Sequence, residues 1–90
     1  MSPLSESGRP QSPFLSTEYF REIRERADRV RITDRWILLA LQRPVAESVQ
    51  QDGRIKRWVY IPEERRYLRV ILLADGITVH NAFFDRRFRP

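Results

Sequence analysis

Ninety residues without a cysteine allow one small domain and exclude disulfide staples and thiolate chemistry, which suits a reducing cytoplasm. The longest apolar run, Trp36–Leu41, falls far short of the roughly 20 residues that a membrane span requires. Seventeen basic and twelve acidic residues leave a net charge of +5, a balance that favours a polyanionic partner, although many of the arginines sit beside Glu or Asp.

Residues 1–16 hold three of the six prolines and most of the serines, and read as a disordered leader without a signal-peptide core. Helix signals begin at Ser16-Thr17, where either hydroxyl can cap, and Glu18 suits the first turn. Phe20, Ile23, Ala27 and Val30 then recur at helical spacing and predict one apolar stripe. The opposite side alternates in charge, with Glu22–Arg26 and Glu25–Arg29 spaced as favourable pairs, and reads as a solvated face. Thr33 and Asp34 open a shorter helix that is apolar nearly all round, with Trp36 as a core anchor. Pro44 ends it, because the residue before a proline is pushed out of the helical region.

Two strand–turn–strand patterns follow. Val45–Gln51 and Arg54–Ile61 flank Asp52-Gly53, while Tyr67–Ala74 and Ile77–Phe84 flank Asp75-Gly76. Asp-Gly between apolar runs predicts a two-residue turn, because both positions of a type I′ turn need φ > 0. Pro62–Arg66 links the two hairpins. The expected fold is α+β: two N-terminal helices packed on one face of a four-stranded antiparallel β-meander, spanning residues 17–90.

Such turns set the registers. Val49 is expected opposite Lys56, Glu47 opposite Trp58, Leu72 opposite Val79 and Ile71 opposite His80. Pairing Tyr60 with Leu68 and Trp58 with Val70 puts both aromatics under the helices, with Leu72, Val79 and Phe83. Arg57, Arg69 and His80 then meet on the other face, with Ile71 between Arg57 and His80, and Tyr67 and Phe84 on the same side. That face also gains Ile55, Val59, Ile61 and Leu73. It is too apolar to stand in water, so the C-terminal tail, a partner protein or a second copy of the chain is expected to cover it.

The chemistry is narrow. One histidine and no cysteine leave metal-ligand spacing without support, and no Gly-rich phosphate loop or nucleophilic triad is present, so no cofactor is expected. Arginines near His80 and Tyr67 suit phosphate binding and stabilisation of a pentavalent transition state by fixed positive charge. His80 can move a proton at neutral pH, or serve as a strand residue hydrogen-bonded within the sheet. The ending Phe83-Phe84-Asp85-Arg86-Arg87-Phe88-Arg89-Pro90 interleaves aromatics with arginines, a composition that can stack bases and hold phosphates. The alternative for Asp85 with Arg86 and Arg87 is a local ion pair.

The charged helix, the segment RITDRWILLALQRP and the meander GRIKRWVYI…RYLRVILLADGITVHNAFFDRRF together resemble the small RelE/ParE-like toxins, BrnT-like proteins above all, over residues 17–88. The resemblance implies a metal-independent, mRNA-cleaving ribonuclease neutralised by an antitoxin. It implicates Arg57, Arg69 and His80 in catalysis, and Arg54, Lys56, Arg86 and Arg87 in nucleic-acid binding. The chain departs from such toxins in carrying Tyr19-Phe20 where a first-helix histidine is common, and arginines in place of lysines. A binding module that does not cut is the alternative.

Overall fold

Thr17 sets the first helix by accepting a hydrogen bond from the Phe20 N–H (3.1 Å), while its own N–H donates to the Val79 carbonyl (2.9 Å). One residue thereby caps a helix and ties it to the sheet. The computed structural model describes residues 12–90. In chain order these form β1 (Leu15–Ser16), α1 (Glu18–Ile23), α2 (Asp34–Gln42), β2 (Ala46–Val49), β3 (Ile55–Ile61), β4 (Arg66–Leu72) and β5 (Thr78–Phe84). The five strands make one sheet of order β1-β5-β4-β3-β2, antiparallel except that β1 runs parallel to β5.

The α+β class and the two helices are as expected; the strand count is not. Leu15 pairs with Thr78 and Ser16 with Val79, and Phe14 packs against the core, so the domain begins before residue 17. A two-residue strand has no alternation from which to be read. The expectation of disorder for residues 1–11 lies outside the described residues.

The first helix is also shorter than its stripe. Phe20 and Ile23 are buried, but Ala27 and Val30 are exposed. After Ile23 the chain runs through turns closed by Arg26 N–H to Ile23 O, Arg29 N–H to Arg26 O and Ile32 N–H to Arg29 O. These deliver Ile32 to the core in place of Val30. Arg24 pairs with Asp34 at the start of α2 (2.6 Å), a long-range contact that the expected i,i+4 pattern did not contain. Thr33 caps α2 as expected, accepting from Trp36 N–H, and Ile37 and Ala40 are its fully buried residues.

Both helices lie on the face formed by Val59, Ile61, Leu68, Val70, Leu72 and Val79. Five of these six side chains are wholly buried, each contributing roughly 1.5–3 kcal/mol. Trp36 packs edge-on against Phe84 beside that core. No helix among the described residues is long and apolar enough to cross a membrane.

The registers differ from expectation because the loops do. Gln50 N–H donates to Arg54 O, and Gly53, at φ 92°, donates to Gln50 O, so the first loop holds three residues and Val49 pairs with Ile55. Between β3 and β4 the loop holds residues 62–65, with Arg65 at φ 56°, and Ile61 pairs with Arg66. At the last hairpin Leu72 meets Val79 as expected. The turn, however, is closed by Gly76 N–H to Leu73 O with only Gly76 at positive φ, so it is not type I′. Ile71 then pairs with Asn81, which leaves His80 as the extra residue of a bulge.

A shift of one residue exchanges faces. Trp58 stands opposite Arg69 and Tyr60 opposite Tyr67, on the face away from the helices, while Val59, Ile61 and Arg57 lie on the helix side. Ala82 and Phe84 join the core side and Phe83 the open side, the reverse of the expected order. The apolar second face of Val59 and Ile61 is therefore the core itself.

Candidate nucleic-acid interface

Arg57, Arg69 and His80, expected as one cluster, occupy three separate places. Arg57, on the helix side, donates to Glu47 (2.7 Å) and to the Leu41 carbonyl near the end of α2 (3.1 Å). His80, in the bulge, stacks on Tyr19 with ring centroids 5.0 Å apart, and its Nδ1 lies 3.1 Å from the Thr17 hydroxyl. Burial, and then the charge of Arg54, push its imidazole below the usual histidine range. In the neutral ring the Thr17 hydroxyl can accept from Phe20 and donate to Nδ1.

Arg69 remains on the open face, held by a carboxylate. Its Nε and Nη2 donate to Asp85 Oδ2 at 3.0 and 2.6 Å, and Trp58 Nε1 donates to the same oxygen at 3.0 Å. Arg87 N–H occupies Oδ1. Burial pushes the Asp85 carboxyl up, but the Trp58 and Arg69 hydrogen bonds, the Arg87 amide and the Arg69 charge outweigh it and hold it at about 2. Asp85 is thus a buried structural anion, fixing the start of the C-terminal tail.

Beyond that anchor the tail crosses the open face. Phe88 stacks on Trp58 with centroids 4.6 Å apart and planes at 15°, and meets Tyr67 edge-on at 5.0 Å. The tail thus covers part of the open face, which is not the Val59 and Ile61 face that was expected to need a cover.

Between the tail and the residue 62–65 loop lies a cleft of about 450 Å³, within the range of small-ligand sites. Tyr60, Tyr67 and Phe88 supply its aromatic wall; Tyr60 is 41% exposed. Arg65, Arg66, Arg86 and Arg89 supply its charge. Among the described residues Arg65, Arg86 and Arg89 make no salt bridge, and Arg89 donates only to backbone carbonyls. Arg66 is shared with Glu64 (2.8 Å) and lies over the Phe84 ring at 3.9 Å. The one acidic side chain lining the cleft, Asp85, is already satisfied.

Of the expected binding residues, only Arg86 lines this cleft. Lys56 lies on the open face opposite Ile71, Arg54 pairs with Asp52 at 3.7 Å, and Arg87 is exposed outside the cleft. Sequence reasoning missed Tyr60, Arg65 and Arg66. The Glu63-Glu64-Arg65-Arg66 run gave no signal, because it is balanced in charge; in the structure Glu64 answers Arg31 and Arg66, and Arg65 makes no salt bridge among the described residues.

No protein-family model, curated protein or solved structure matches the chain.

Proposed function

We propose that this chain is a nucleic-acid-binding module, with RNA as the class that the toxin resemblance implies, and that it binds without cutting. The observation that supports it is the juxtaposition of unpaired Arg65, Arg86 and Arg89 with Tyr60, Tyr67 and Phe88 in one cleft. Rings of this kind stack on bases, and guanidinium groups take phosphate oxygens in pairs.

The cleaving toxin asks for more. Cleavage by the 2′-hydroxyl needs a proton acceptor beside the arginines. His80 lies four residues before Phe84 on β5, about 13 Å along the strand from the cleft end. Asp85 has both oxygens engaged and stays ionised far below neutral pH. An antitoxin partner loses the apolar second face that motivated it, because Val59 and Ile61 are core.

Mixing the protein with a labelled RNA containing both duplex and single-stranded segments, at low salt, tests this reading. A complex with intact RNA is expected, weakened by Tyr60→Ala. RNA fragments would favour the nuclease reading, and the absence of any complex would end both.

A further inference from the structure

A second cleft, of about 300 Å³, lies against the first. It is lined by Asp28, Arg29, Phe83 and Phe84, and shares Arg66 and Arg86 with the larger cleft as a common wall. Arg29 sits over the Phe83 ring at 5.3 Å and donates to Asn81 at 2.8 Å, so its guanidinium is held in place. Asp28 faces it weakly, at 3.5 Å, and is largely exposed. A wall of two arginines between two cavities suits a group of negative charge joined to something on either side. A mononucleotide fills one cavity and leaves the other empty. A duplex keeps its bases paired and presents no ring to Tyr60 or Tyr67.

We infer that the ligand is a single strand of at least two nucleotides: one base lies with Tyr60 and Tyr67, the linking phosphate on Arg66 and Arg86, and the next phosphate at Arg29. This rests on the nucleic-acid reading above and adds the strand's class and its path. The smaller cleft carries Asp28, which opposes a phosphate there. Removing that charge strengthens binding of the longer ligand alone.

Calorimetric titration with adenosine 5′-monophosphate, the dinucleotide pApA, the trinucleotide and a short duplex separates the outcomes. The trinucleotide is expected to bind roughly tenfold or more tightly than the monophosphate, the size of one added stacked base. Asp28→Asn should tighten the trinucleotide and leave the monophosphate unchanged, and Arg29→Gln should weaken the trinucleotide selectively. Asp28 is at the surface, so its variant tests the path even where Arg29→Gln perturbs the fold. Equal affinity for monophosphate and trinucleotide, a trinucleotide indifferent to Asp28→Asn, or equal affinity for the duplex would overturn the path. Binding of none of these ligands would overturn the nucleic-acid reading itself.

Discussion

Trp58 and Arg69 stand opposite one another on β3 and β4, and both donate to the same oxygen of Asp85. The indole also carries Phe88 on its face, so one cross-strand pair fixes the tail that walls the cleft. Replacing Asp85 by Asn removes the charge that both donors address. It is expected to lower stability by about 1–3 kcal/mol, the range for losing a charged hydrogen-bond partner. Urea denaturation followed by tryptophan fluorescence measures it. Arg69→Ala is expected to act the same way, as a loss of stability with the cleft arginines intact, which separates it from a catalytic role.

The acid limb of stability follows from the same carboxylate. Its folded value of about 2 lies below the ordinary 3.8, so its stabilisation is complete above about pH 4 and disappears as pH falls through 2. The amount is at most about 2 kcal/mol. Asp75 is also held low, by the Thr78 hydroxyl and then the Ile77 and Thr78 amides, so it too loses its contribution as pH falls. Denaturation between pH 2 and 6 should therefore show Asp85→Asn with a shallower acid loss than the parent, not a flat one.

His80 contributes in the other common window. An unfolded histidine near 6.5 takes its proton before the folded one does, because folding lowers the value. Stability is then full above about pH 6.5 and declines as pH falls toward the folded value. His80→Gln should abolish the decline between pH 7 and 5, as thermal unfolding across that range would reveal.

Arg65 occupies the left-handed region at φ 56°, where Gly is the usual residue. Arg65→Gly is expected to raise stability by up to about 1 kcal/mol. The same change should weaken RNA binding, since Arg65 has no salt-bridge partner among the described residues. Opposite movement of melting temperature and affinity is the predicted pattern.

The elements were more legible than their alignment. Thr17, Thr33, Pro44 and the apolar side of Leu68, Val70, Leu72 and Val79 could be read from local chemistry. Alternation also gave the strands, but it is blind to which of two faces is inside when both are partly apolar. Loop geometry decided that. Gly53, Arg65 and Gly76 each take positive φ, yet only the glycines announce it. The bulge at His80 has no sequence signature at all. A shift of one residue between β3 and β4 therefore moved Trp58 and Tyr60 from the expected core to the open face, and with them the site. The cleft was half visible, in the aromatic and basic tail, and half hidden in a loop whose arginines resembled ordinary surface charge.

Phosphate binding in this cleft is read from the salt dependence of RNA binding, in the parent and in an Arg86→Ala/Arg89→Ala variant. With three to four phosphates held, log K against log salt should fall with a slope of about −2 to −3, and the double variant should flatten it by about 0.7–1.4, because Arg66 shares the phosphate at Arg86. Affinity that ignores salt, or a slope that the double variant leaves unchanged, would contradict the assignment of this cleft.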